Sequence, residues 1–147
     1  MLHAESELFR ERRPMFETKT NVKLHDTDAA GVVFFANYFR IAHTAFEALM
    51  TSIGVSLDYI IREADYLILI AHADADYDRP LLLGEKITIS MKTESIGESS
   101  FVLIYDFRDS AGKIAAKVRT VHVAVDKNRA EKIPLPEKVR IGLESLK

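Results

Sequence analysis

An α+β domain is what the sequence predicts: one long helix covered by a mainly antiparallel sheet of about five strands. Two observations carry this. Residues 37–50, NYFRIAHTAFEALM, place Tyr38, Ile41, Ala42, Ala45, Phe46 and Leu49 at helical spacing. From residue 67 onward the hydrophobic period changes to two, across four segments rich in Ile, Val, Thr and aromatic residues. A run of strands that follows a helix argues for antiparallel pairing, because short turns suffice to join such strands.

Residues 1–15 mix charges around Leu8 and Phe9 and read as a leader or short helix ahead of a single domain spanning 16–147. Residues 16–24, FETKTNVKL, alternate as a strand, with Phe16, Thr18, Thr20, Val22 and Leu24 on one face. The turn formers of HDTDAAG follow, and Asn37 is positioned as an N-cap for the long helix. Residues 56–66 read as a second, short helical turn. Segments 67–78, 85–94, 100–109 and 114–126 are the strands, separated by Pro80, Gly84, Gly97 and Gly112. The DSAGK turn at 109–113 predicts a hairpin, and the tail after Pro134 and Pro136 reads as a short polar segment.

Composition narrows the function classes. The 147 residues suit one domain, with 48% hydrophobic and 29% charged residues. The net charge of −2 forces no basic face for nucleic acid. The chain has no cysteine, which removes disulfides, cysteine-rich zinc sites and a cysteine nucleophile together. The first residues contain no apolar core of signal-peptide length, and no apolar run reaches the ~20 residues of a membrane span. A cytoplasmic protein without membrane insertion is expected. Neither a phosphate-binding G-x-x-x-x-G-K-[ST] loop nor a G-x-G-x-x-G dinucleotide motif occurs.

The chemistry concentrates in Asp26-Thr27-Asp28-Ala29-Ala30-Gly31-Val32-Val33-Phe34-Phe35-Ala36-Asn37-Tyr38. Two carboxylates sit on a turn, followed by an apolar stretch and a helix start. A carboxylate beside apolar walls can act as general base or nucleophile. The free N–H groups of a helix N-terminus can polarise a carbonyl and hold an oxyanion. Together they make a minimal acyl-transfer site that needs no Ser-His-Asp triad. The competing reading is that Asp26, Asp28 and Asn37 are only turn and cap residues.

The stretch LHDTDAAGVVFFANYFRIAH resembles the signature of the 4-hydroxybenzoyl-coenzyme A thioesterase family of hotdog proteins. The resemblance continues through YDRPLLLGEKITI, SFVLIYDFRD and VHVAVDKNRAEKIPLP, over roughly residues 16–136. Within the family, DTDAAGVVFFAN followed by AHTAFE is most similar to the 1,4-dihydroxy-2-naphthoyl-coenzyme A hydrolases of menaquinone and phylloquinone biosynthesis. The resemblance implies a long helix wrapped by an antiparallel sheet, no cofactor and no metal. It implies a homodimer that pairs sheets, or a homotetramer, with active sites at subunit interfaces. It also implies that Asp28 is the catalytic carboxylate, either nucleophile or general base on water, that the Phe35 backbone N–H holds the thioester carbonyl, and that Asp26 is structural. Some short-chain-specific relatives carry His at the position of Phe35 and Tyr at that of Leu24. Both are absent here, so the pocket is more apolar, and Phe34, Phe35 and Tyr38 favour an aromatic acyl group. A short-chain acyl-coenzyme A or acyl-carrier-protein thioesterase, and a non-catalytic acyl-thioester binder, are the alternatives.

His43 and Glu47, four apart on the long helix, are further pocket candidates beside the plainer reading of a solvated pair. Lys127, Arg129 and Lys132 cluster after the last strand and would suit the phosphates of coenzyme A, with Arg79 a further cation. Asp74, Asp76 and Asp78 superficially resemble a calcium loop. Its sixth position is Arg79, where such a loop needs Gly, and the alternation fits the polar face of a strand.

Overall fold

The computed structural model describes residues 15–147. The expected leader over residues 1–15 lies, but for Met15, outside them. Five strands form one sheet: β1 (Phe16–Asn21), β2 (Tyr66–Tyr77), β3 (Lys86–Ile96), β4 (Ser100–Arg108) and β5 (Ile114–Asp126). Their order is β1-β3-β4-β5-β2 and every neighbouring pair is antiparallel. Helix α1 (Asn37–Ser52) lies on the sheet, followed by α2 (Leu57–Arg62), and α3 (Glu137–Glu144) closes the chain. No helix among the described residues is long and apolar enough to cross a membrane.

The helical spacing read in the sequence is the buried face of α1. Tyr38, Ile41, Ala42, Ala45, Phe46, Leu49 and Met50 are all buried. They meet Ile87, Ile89 and Met91 of β3, and Phe101, Leu103, Tyr105 and Phe107 of β4, residues that alternate along their strands. The predicted hairpin joins β4 to β5, where the Asp109 carboxylate accepts from the Ala111 and Lys113 N–H groups, each at 2.9 Å.

A histidine is buried inside this core. His122 of β5 is 1% exposed, stacked on Phe46 at 4.4 Å and on its cross-strand neighbour Phe101 at 4.7 Å between ring centroids. Its Nε2 lies 2.8 Å from the Thr120 hydroxyl, which in turn bonds the Tyr105 hydroxyl at 2.9 Å. Its Nδ1 is buried without a hydrogen-bond partner among the described residues. Burial, and secondarily the nearby His43, push the imidazole pKa down to about 3.

Three details of the sequence reading change. Leu24 does not share the inward face of β1: it sits in a 3₁₀ turn (Leu24–Asp26) and is 75% exposed. Asn37 is the first helical residue and not the cap. Ala36 holds the cap position without a side-chain bond, and the Asn37 amide donates instead to the Asp26 carbonyl at 2.9 Å. The tail expected as a polar segment forms α3, whose Val139 and Leu143 are fully buried. A helix of this length is not stable alone. Each of those side chains contributes ~2 kcal/mol by burial, and Thr93 of β3 donates to the Leu143 carbonyl at 2.8 Å.

Candidate active site

The loop between β1 and α1 is built around Asp26, which is only 4% exposed. Its carboxylate accepts from the Lys23 N–H at 2.8 Å, closing the 3₁₀ turn, and pairs with the Arg40 guanidinium one turn into α1. Burial raises the Asp26 pKa, but the Lys23 N–H, Arg40 and His25 together outweigh it and hold the pKa below the usual carboxylate value. The Asp26 carbonyl accepts from the Phe34 N–H and from the Asn37 amide, both at 2.9 Å. Asp26 therefore joins the turn, the loop and the helix start through both its side chain and its carbonyl.

Asp28 projects from the small hairpin that Asp26 supports. Thr27 bridges Val33, the Asp28 N–H donates to the Val32 carbonyl at 2.9 Å, and the Gly31 N–H returns to the Asp28 carbonyl at 3.0 Å. Gly31 has φ +77°, a left-handed conformation that a Cβ would strain. The hairpin is pinned to the turn before β3, since the Val33 N–H donates to the Leu81 carbonyl and the Leu83 N–H to the Gly31 carbonyl. One carboxylate oxygen of Asp28 accepts from the Ala30 N–H at 2.8 Å. Among the described residues nothing donates to the other, and the side chain is exposed.

Asp28 lies in a cleft of ≈ 470 Å³ with Val33, Phe34, Phe35, Tyr38, Tyr77, Asp78, Arg79 and Pro80. The walls are aromatic. Phe34 and Phe35 are 42% and 61% exposed with centroids 4.7 Å apart. Tyr38 is buried beneath, edge-on to Tyr77 at 5.0 Å, and its hydroxyl pKa is pushed up to about 12 first of all by burial. The Phe35 N–H has no acceptor among the described residues. Such an N–H just ahead of a helix is a donor available to a ligand carbonyl. A separate cavity of ≈ 270 Å³ between β1 and α1 is lined by Lys19, Lys23, His25 and Arg40 and does not include Asp28.

Of the residues singled out in the sequence, Asp28, Phe34, Phe35 and Tyr38 come together in one cleft. His43 and Glu47 do not line it; both are exposed further along α1, with His43 against Phe46 at 5.6 Å. The three cations after β5 are also elsewhere. Lys127 donates to the Ile60 and Ile61 carbonyls at 2.9 Å each, tying α2 to that loop, while Arg129 and Lys132 are exposed. Tyr77 is the cleft residue that sequence reasoning missed. Its hydroxyl donates to the Phe35 carbonyl at 2.9 Å, across 42 residues of chain. The alternating Asp residues around it mark a strand face, and no local pattern singles the tyrosine out.

Comparison with known proteins places the chain. The model of the thioesterase-like superfamily matches residues 22–143. A 1,4-dihydroxy-2-naphthoyl-CoA hydrolase of Rippkaea orientalis is 36% identical over 126 residues, 84% of this chain and 91% of that protein. The crystal structure of a 1,4-dihydroxy-2-naphthoyl-CoA thioesterase from Synechocystis is 27% identical with a TM-score of 0.85, over 90% of this chain and 98% of that one. A gentisyl-coenzyme A thioesterase is 26% identical with a TM-score of 0.79, over 87% of this chain and 99% of that one.

Proposed function

This chain belongs to the thioesterase-like superfamily and has its hotdog fold, and from that membership we propose that it hydrolyses the thioester of an aromatic acyl-coenzyme A, 1,4-dihydroxy-2-naphthoyl-coenzyme A, in quinone biosynthesis. The observation that carries the reading is the pairing, in one aromatic cleft, of a carboxylate oxygen without a donor and a backbone N–H without an acceptor among the described residues. In this reading the acyl ring lies against Phe34, Phe35 and Tyr38, with the thioester carbonyl on the Phe35 N–H. The free Asp28 oxygen either takes a proton from the attacking water or attacks the carbonyl carbon itself, giving a mixed anhydride that water then cleaves. On both routes the carbonyl oxygen gains negative charge opposite the N–H, the C–S bond breaks, and the coenzyme A thiolate leaves and takes up a proton.

The reading is tested by offering the protein a panel of aryl and short aliphatic acyl-coenzyme A thioesters and following free thiol. Hydroxylated aryl thioesters are expected to turn over fastest, the dihydroxynaphthoyl thioester above the gentisyl one. Faster cleavage of aliphatic thioesters would move the substrate class, and no thiol from any of them would leave a binder.

The same reading includes a pair of chains joined through β2. This edge strand is 12 residues long, twice the length of β1 at the other edge, and its Leu69 and Ile70 are 48% and 46% exposed. A long apolar edge with unpaired backbone groups is satisfied by a second strand. Such a pair would also shield Asp28, which one chain leaves open to water, and in this reading His43 and Glu47 join the acyl pocket across the pair. Light scattering at micromolar protein should give a multiple of 16.6 kDa, and the mass of one chain would remove this part of the reading.

A further inference from the structure

We propose that Tyr77 is a positioning residue for hydrolysis, holding the Phe35 N–H in place through its bond to the Phe35 carbonyl. The inference rests on the reading above, in which that N–H receives the thioester oxygen. Three observations lead to it. The loop start is weakly held where the donor must be rigid: Ala36 caps α1 without a side-chain bond, and the Phe35 ring is 61% exposed, so neither capping nor packing immobilises the residue. The peptide that contains the Phe35 N–H is restrained on its other side, because the Phe34 carbonyl accepts from the Asn37 N–H at 2.9 Å. In a trans peptide the carbonyl and N–H point in opposite directions, so tying the Phe34 carbonyl into the helix turn faces the Phe35 N–H away from it. What remains free is rotation about the Phe35 Cα.

The Tyr77 hydroxyl removes that freedom by fixing the next carbonyl at 2.9 Å. Tyr77 is itself firmly placed. It is the last residue of β2, paired with Ala116 of β5, and its ring packs edge-on against buried Tyr38, which packs in turn on Phe107 at 5.3 Å. The hydroxyl thus carries the rigidity of the sheet to a loop 42 residues away. Burial raises its pKa, so it remains a donor throughout the neutral range. An oxyanion donor works by being oriented before charge develops, so a loosened donor lowers turnover more than it weakens binding of the rest of the substrate.

Tyr77→Phe removes the hydroxyl and keeps the ring. Two measurements on the full-length variant test it, with Asp28→Asn alongside. Amide exchange of Phe34 and Asn37, both hydrogen-bonded in the loop, should become about fivefold faster as the loop loses one anchoring bond. Turnover of an aryl-coenzyme A thioester should fall about tenfold while KM stays within about twofold, the pattern of a lost transition-state contact. A merely structural tyrosine would lower the melting temperature and leave turnover per folded chain unchanged. Unchanged exchange, or unchanged turnover with Asp28→Asn inactive, overturns the role of Tyr77 and leaves the thioesterase reading standing. If the wild type cleaves no thioester the reading itself falls, and the positioning role in hydrolysis falls with it, while the exchange arm still reports whether Tyr77 holds the loop.

Discussion

Asp28→Asn is expected to lower thioester turnover by about 10³-fold, the range seen when a positioned base or nucleophile is lost. Asparagine keeps the shape of the side chain, and its amide oxygen can still accept from the Ala30 N–H, so the small hairpin should survive. What it loses is the basic oxygen. The oxygen position that receives no hydrogen bond among the described residues would carry an NH₂ group that neither takes a proton from water nor attacks a carbonyl. KM should change little, because the aromatic walls and the Phe35 N–H remain. Far-UV circular dichroism and melting should match the wild type, since Asp28 is exposed and outside the Asp26–Arg40 framework. Turnover within tenfold of the wild type would remove Asp28 from the mechanism.

The second large effect concerns stability and pH. His122 is held neutral in the folded protein, its pKa pushed to about 3 by burial and by His43, against an ordinary value of 6.5. The folded value lies below the unfolded one. As pH falls through 6.5 the unfolded chain takes up a proton that the folded chain refuses, so stability declines from pH ~6.5 downward until the folded imidazole titrates near 3. Between pH 8 and pH 5 the loss should be about 2 kcal/mol, at ~1.4 kcal/mol per unit once below 6.5. This window lies above the region where Asp26, its pKa held low by Lys23 and Arg40, would begin to lose its own contribution. Urea unfolding of the wild type and of His122→Gln at the two pH values measures it. The variant should be less stable throughout, having lost the stack on Phe46 and Phe101, yet it should show most of that pH slope removed. Equal slopes in both proteins would place the origin elsewhere.

The buried histidine also shows what a sequence pattern conveys and what it hides. In VRTVHVAVD the alternation puts His122 on the same face as Val118, Thr120 and Ala124, all buried, so its inward direction is legible from period two alone. That it stacks on Phe46, 76 positions earlier in the chain, follows from how α1 lies across the sheet. The orphaned Nδ1 and the depressed pKa come from that placement.

Local repetition determined much of this protein. The helical face of α1, the four later strands, the Asp109–Lys113 hairpin and the loop bearing Asp28 all follow from spacing and turn chemistry, because each depends on neighbours within a few residues. The departures lie where a distant partner decides. Leu24 turns outward because Asp26 closes a 3₁₀ turn there; Asn37 gives up its cap to bind the Asp26 carbonyl; the tail becomes α3 because it packs against β3 with Val139 and Leu143 in the core. Lys127, a surface cation by sequence, is spent on the carbonyls of α2. Tertiary structure alone decided that Tyr77 meets Phe35 and joins the cleft of Asp28, since a hydrogen bond between residues 42 apart in the chain leaves no periodic trace.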